Sequence, residues 1–207
     1  MSKADRRKWD ERYLAGSYAA RRQPTRLIAD RLDDLPRGRA LDVGCGAGRN
    51  ALFLAEAGYE VDALDVSPVG LERGAGTAAE RGLDIRWIEA DLDLTPSAAA
   101  LPNRDYALIV MVRYVNMPLI PALIARLGDG GYLVCEQHLK TTRDVVGPKT
   151  PAFRLRPNEL LAAAEDLRVL FYREGVVRDP DGRPAALAQL IGCRGAPRFE
   201  RSDDEAA

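Results

Sequence analysis

The sequence predicts an α/β fold built on a mostly parallel sheet, and three observations predict it. Short apolar runs that read as strands recur between stretches of helical periodicity, the alternation expected of βαβ units. The run Tyr106-Ala107-Leu108-Ile109-Val110-Met111-Val112 is continuously apolar, as a strand covered on both faces should be. A third run, Ala40-Leu41-Asp42-Val43, breaks into Gly44-Cys45-Gly46-Ala47-Gly48-Arg49-Asn50, which reads as strand, tight turn and helix start.

That first strand and its loop carry the chemistry. Glycines let backbone approach a ligand where a Cβ would clash, and they tolerate positive φ. A dinucleotide fingerprint is G-x-G-x-x-G. Here the third glycine comes one residue early, and Arg49 stands where that pattern wants Gly or Ala. The strand also ends in Asp42. A carboxylate there repels a pyrophosphate and suits a ligand carrying an ammonium group, which favours S-adenosylmethionine over a nicotinamide or flavin cofactor. The helix over 49–57 follows and ends at Gly58.

The second strand, Val61-Asp62-Ala63-Leu64-Asp65-Val66, ends in another acid. Asp65 lies 21 residues past Gly44, close to where a ribose-binding acid belongs in a βαβ unit. Its carboxylate can accept from both ribose hydroxyls. Capping the next helix does not require it, because Ser67 fills the N-cap with Pro68 at the first helical position. That helix, 67–81, contains Gly70, Gly74 and Gly76. Each costs about 1 kcal/mol against Ala, so the glycines predict close packing on the sheet. The third strand, Ile85-Arg86-Trp87-Ile88-Glu89-Ala90, runs into Asp91-Leu92.

With three acids and the glycine loop in this order, the chain resembles the class I S-adenosylmethionine-dependent methyltransferases from about Ala40 to Arg194. The resemblance implies a Rossmann-like three-layer sandwich with a seven-stranded sheet whose last strand is antiparallel. It assigns Asp42 and the loop Gly44, Cys45, Gly46 and Gly48 to the methionine end of the cofactor. Asp65 goes to the ribose and Asp91 with Leu92 to the adenine; Val66 and Met111 complete the cofactor set. Trp9-Asp10-Glu11-Arg12-Tyr13 and the loop together look like the tellurite-resistance and thiopurine methyltransferase branch, in which an N-terminal aromatic segment closes over the cofactor. Trp9 and Tyr13 are four apart and share a helix face. Aromatic faces attract a sulfonium by roughly 0.5–2 kcal/mol.

The later elements keep the rhythm. Residues 117–127 read as a helix with its prolines in the first turn. Gly130-Gly131 end the following turn, and Tyr132-Leu133-Val134-Cys135-Glu136 is a fifth strand. A helix over 155–164 precedes two strands, 167–173 and 186–193, paired around the turn Asp179-Pro180-Asp181-Gly182. The expected organisation is an N-terminal helical cap (1–39), a methyltransferase domain (40–195) and a disordered acidic tail (196–207).

Composition fits one globular, cytoplasmic domain. Apolar residues make up 46% and charged residues 29%, and the net charge of −1 makes no global bid for nucleic acid or membrane. The three cysteines have neither metal-ligand spacing nor a disulfide framework. The charged N-terminus is not a signal peptide, and no apolar run is long enough to span a bilayer.

The acceptor side is expected where the fourth and fifth strands end, at Arg113-Tyr114 and Glu136-Gln137-His138. Arg113 and Glu136 can form a structural ion pair or touch substrate. His138, the single histidine, and Glu136 are the candidate bases for an acceptor that does not ionise unaided. From His138 to Arg156 there are five Lys or Arg and one Asp, a solvated loop or a lid over an anionic substrate. No Asn-Pro-Pro-Tyr signature follows the fourth strand. The expected partner is therefore a small-molecule acceptor, anionic under the lid reading, on a monomer or homodimer. An RNA or protein acceptor and a non-catalytic cofactor-binding subunit are the alternatives.

Overall fold

Seven strands form one sheet in the order β3-β2-β1-β4-β5-β7-β6 in a computed structural model that describes residues 3–16, 22–93, 97–179 and 181–197. Helix α1 (Lys3–Leu14) and the short α2 (Arg26–Ala29) precede β1 (Arg39–Val43). Helix α3 (Arg49–Glu56), β2 (Glu60–Asp65), α4 (Pro68–Glu80), β3 (Ile85–Glu89) and β4 (Tyr106–Val112) follow. The chain then forms α5 (Ile120–Ala125), β5 (Leu127–His138), α6 (Glu159–Ala163), β6 (Arg168–Arg178) and β7 (Pro184–Cys193). Strands β1 to β5 pair in parallel, while β7 lies antiparallel between β5 and β6. The antiparallel last strand is therefore inserted beside β5, and β6 takes the edge.

Alternation along the strands divides the core into two layers. Leu41, Val43, Ile109, Met111, Leu133 and Cys135 pack with α5 and α6 on one face. Ala40, Leu108, Val110 and Val134 pack with α2 and α3 on the other. The register sets Val43 beside Leu64 and Met111, Asp65 beside Glu89, and Val112 beside Glu136. The carboxyl ends of five strands thus meet at one edge, where open α/β sheets bind ligands.

Of the three glycines of α4, Gly74 packs on the sheet as the pattern predicts, while Gly70 packs on α1 instead. A Cβ on Gly74 would run into the Trp87 ring of β3, and one on Gly70 would lie 3.0 Å from the Tyr13 ring of α1. Gly76 faces open space and has no such role. Ser67 caps α4, its hydroxyl accepting from the Gly70 amide at 3.1 Å.

Five elements differ from expectation. Helix α5 stops at Ala125, and β5 begins at Leu127 rather than Tyr132, so Gly130-Gly131 lie inside a strand. A Cβ on Gly131 would stand 2.8 Å from the Tyr106 carbonyl, a closeness that demands glycine. The helix expected over 155–164 shrinks to Glu159–Ala163. Pro157 disfavours helical φ/ψ at Arg156, and Leu155 bridges to β5 instead, its amide donating to the His138 carbonyl at 2.8 Å. Strands β6 and β7 run to either side of the expected turn, longer than their apolar cores suggest. The acidic stretch from Glu200 lies outside the described residues, as does every residue from 198 on.

Candidate active site

All three loop glycines adopt left-handed backbone: φ is +68° at Gly44, +60° at Gly46 and +76° at Gly48. The loop is then fixed by two acids. Asp65 accepts from the Gly46 amide at 2.8 Å and from the Ser67 amide at 2.9 Å. It remains partly exposed at the end of β2. Burial pushes its carboxyl above the ordinary value, against the lowering effect of those amides.

Asp42 sits deeper, only 1% exposed, and accepts from the Ala51 amide in the first turn of α3 at 3.1 Å. Burial raises its pKa to about 7, with the Ala51 amide and Arg49 pulling the other way. Asp42 therefore holds the loop–helix junction from inside. Cys45 donates its amide to the Leu64 carbonyl at 2.9 Å, and burial pushes its thiol well above the ordinary value. That thiol is a packing group, not a nucleophile.

Aromatic residues close on the loop. The Tyr13 hydroxyl lies where a Cβ on Gly46 would be, and the Trp87 ring where one on Gly48 would be. Tyr114 stands 2.7 Å from the corresponding point on Gly44. Helix α1 is tied down here: the Ser67 hydroxyl donates to Asp10 at 2.5 Å, and Arg6 pairs with Glu89 at 2.7 Å. Trp9 lies next to Tyr13, with ring centroids 6.4 Å apart.

Beyond β3 the Asp93 amide donates to Asp91 at 3.0 Å, while Leu92 is buried. The Tyr114 hydroxyl donates to Asp93 at 2.7 Å, and the Asn116 side-chain amide donates to the Leu92 carbonyl and to Asp93, each at 2.9 Å. Burial pushes the Tyr114 phenol up, so it stays protonated and donates. Val66 is 7% exposed, and Met111 is fully buried in the core. The Met111 carbonyl accepts from the buried Gln137 side chain at 3.1 Å.

Arg113 and Glu136 form the ion pair that sequence left open, and it is larger than expected. The Arg113 guanidinium donates to Glu136 at 3.0 and 3.2 Å and to Asp179 at 2.5 and 2.8 Å. The free oxygen of Glu136 accepts from Gln189 at 2.8 Å. Arg113 itself has φ +59°, an uncommon backbone for a non-glycine residue. His138 is 6% exposed, and a Cβ on Gly147 would stand 2.7 Å from its Nδ1.

The arginine–acid cluster forms one wall of a cavity of about 440 Å³ between α2, the start of α3 and strands β5, β6 and β7. Six arginines line it: Arg26, Arg31, Arg49, Arg113, Arg173 and Arg178. His138 is not among the lining residues. Sequence reasoning missed several members of the site. Asp179 was visible only as a turn residue, Trp87 only as a strand residue, Asp10 only within the N-terminal aromatic segment and Asn116 only within the polar stretch after the fourth strand, while Asp93 and Gln189 carried no motif signal.

The residues at the loop fit S-adenosylmethionine. The left-handed glycines bring backbone amides to the edge, Asp65 offers a carboxylate at the end of β2, and Asp91 stands one strand further on. A family model described as a methyltransferase domain matches residues 40–129. Hemagglutinin 1 of Eikenella corrodens is 34% identical over 160 residues, covering 72% of this chain and 51% of that protein. The probable S-adenosyl-L-methionine-dependent methyltransferase TehB of Haemophilus influenzae is 28% identical over 143 residues, covering 67% and 49%. The chain thus spans about half the length of these curated relatives. The crystal structure of that TehB superposes with a TM-score of 0.68 at 25% identity, covering 81% of this chain and 61% of that one. The magnesium protoporphyrin IX methyltransferase of Synechocystis PCC 6803 with bound SAH, at 18% identity and a TM-score of 0.62, covers 82% and 80% and shares the fold. Together these matches support a class I S-adenosylmethionine-dependent methyltransferase that resembles the TehB branch.

Proposed function

We propose that this chain transfers the methyl group of S-adenosylmethionine to a small-molecule acceptor held in the arginine-lined cavity. One observation carries the reading. Arg113 and Tyr114 are consecutive at the end of β4, yet Arg113 lines the cavity while Tyr114 packs on Gly44 of the loop. A ligand in the cavity and a ligand on the loop would be neighbours across this dipeptide. The cavity also suits a small molecule in size, since ligand pockets run from about 300 to 1,000 Å³.

When bound, the cofactor supplies an activated methyl group whose sulfonium charge is lost on transfer. The protein's part is alignment and exclusion of water. Under this reading Asp65 holds the ribose and Asp42 stiffens the loop from behind. Helix α1, with Trp9 and Tyr13, covers the cofactor as a cap. Glu136 is spoken for by Arg113 and Gln189, so its role is to hold the Arg113 wall in position. An acceptor that ionises unaided needs no further base.

The gathering of arginines in a cavity, rather than along an extended groove, favours a small acceptor over RNA. Methyl transfer from labelled cofactor into a fractionated extract, with metabolite, RNA and protein arms, tests the reading. Label in a small-molecule fraction is the expected result. Label confined to RNA or protein, or none despite cofactor binding, overturns it.

A further inference from the structure

We propose that the cavity selects an organic acid, a carboxylate or phosphate on an apolar body, with Arg26 and Arg173 receiving the anionic group. This deepens the acceptor reading above and rests on it. The charge balance of the wall is the first argument. Three acids, Asp30, Glu136 and Asp179, face six arginines, in a chain whose net charge is −1. Two of those acids are already consumed by Arg113 alone, which spends its guanidinium on Glu136 and Asp179. Five arginines are left against Asp30.

The arginines then separate by what already holds them. Arg49 donates to the Thr25 hydroxyl at 3.0 Å and to the Gln23 carbonyl at 3.3 Å. Arg178 donates to the Gly182 carbonyl at 3.0 Å. Arg31 stacks on Phe171 at 4.9 Å and lies 3.9 Å from Asp34. Among the described residues Arg26 and Arg173 have neither a carboxylate partner nor a side-chain hydrogen bond. They line the cavity from different elements, one from α2 and one from β6. Guanidinium groups match carboxylate and phosphate oxygens with paired donors.

The remaining lining decides the body of the ligand. Phe171, Val176, Val177, Leu187 and Leu27 supply an apolar surface. An inorganic oxyanion would leave that surface wet. A molecule with one anionic end and an apolar body would use both parts of the wall.

The test is calorimetric binding on the full chain saturated with S-adenosylhomocysteine, so that it does not depend on turnover. The probes are benzoate, phenyl phosphate and, as a neutral control of similar shape, benzyl alcohol. Benzoate or phenyl phosphate should bind at least tenfold more tightly than benzyl alcohol, and the preference should fall as salt is raised. The two acids differ in head group, so the tighter of them names the preferred anion. In Arg26→Gln and Arg173→Gln the acid should lose about tenfold each, while benzyl alcohol changes less than twofold. Both side chains are exposed, and unchanged melting temperatures check that the fold is intact. Equal binding of acids and alcohol, no binding of either acid, or acid binding indifferent to both substitutions overturns the proposal. Methyl transfer into a neutral metabolite would overturn the acid class while leaving small-molecule methyl transfer standing. Acid binding without any labelled product would instead break the methyl-transfer reading.

Discussion

Tyr114 occupies the space that a side chain on Gly44 would need: its Cβ and Cγ lie 2.7 and 2.8 Å from the position of a Cβ on that glycine. Two constraints therefore coincide at residue 44, a left-handed backbone and a close neighbour. Alanine in left-handed backbone costs about 1–2 kcal/mol, and the collision with Tyr114 adds to it.

Gly44→Ala should lower stability by more than that backbone term and weaken cofactor binding. Pairing it with Tyr114→Gly, which removes both the Cβ and the ring, should recover the collision part only. Urea unfolding of the four proteins of the cycle measures this, with an expected coupling above about 0.5 kcal/mol. Strict additivity would mean that Tyr114 moves aside freely.

Arg113 ties three elements together, β4, β5 and the turn between β6 and β7, through partners 23 and 66 residues away. Its side chain is 12% exposed and those of Glu136 and Asp179 are 3% and 7% exposed. Removing one partner from such a cluster strands charge. Asp179→Asn keeps the shape and should cost on the order of 1.5–3 kcal/mol, the range for a hydrogen bond to a charged group. The denaturation midpoint reads this directly; a midpoint within error of the wild type would remove Asp179 from the clamp.

Asp65 is expected to carry the ribose. Asp65→Ala should weaken S-adenosylhomocysteine binding by on the order of 1.5–3 kcal/mol. It also frees the amides of Gly46 and Ser67, so part of the loss is loop order and not direct contact. Far-UV circular dichroism should stay nearly constant, because Ser67 still caps α4. Affinity held within twofold by calorimetry would place the ribose elsewhere.

Asp42 gives a pH signature. Its folded pKa of about 7 lies above the ordinary 3.8 because burial disfavours the charge. Between those values the unfolded chain ionises Asp42 while the folded chain keeps it protonated. The stability advantage of a neutral residue 42 is fully present below about pH 4 and is lost as pH rises through about 7. Asp42→Asn keeps an acceptor for the Ala51 amide and never ionises. The variant should therefore gain on the wild type from pH 4 to pH 7 and level off above. Parallel pH–stability curves for the two proteins would show that the ionised form is as well accommodated as the neutral one.

The glycine loop, the acids at the ends of β1 and β2 and the succession of strands along the chain were legible because each is local: a strand period, a turn residue, a spacing. Ser67 and the packing of Gly74 on the sheet were legible for the same reason, whereas the contact of Gly70 with Tyr13 was not. The length of β5 was not. Gly128 to Gly131 look like a turn, and only their pairing beside Tyr106 and Arg194 makes them part of a strand. Asp179 was readable as a turn and not as the partner of Arg113, since nothing local encodes a contact across 66 residues. The cavity was invisible for that reason too: Arg26, Arg49, Arg113 and Arg173 come from four separate elements.

His138 was singled out as a base because it ends a strand at the binding edge. The structure surrounds it: the side chain is 6% exposed, Gly147 passes close to the ring, and the cavity wall does not include it. Gly147 has φ +132° and would bring any Cβ within 2.7 Å of Nδ1 and 3.0 Å of Arg154, so the segment closes over the imidazole at a distance only glycine permits. A base must reach the proton it removes within hydrogen-bond distance or through one water. The expected outcome for His138→Asn is therefore a lower melting temperature with methyl transfer kept within about tenfold and an unchanged pH–rate profile. General-base catalysis contributes roughly 10²–10⁴-fold, so a loss of that size with a flattened acid limb would return His138 to the reaction. Gly147→Ala separates the cases further. It should perturb His138 by crowding while leaving the imidazole in place, and should lower stability without altering the pH profile if the contact is structural.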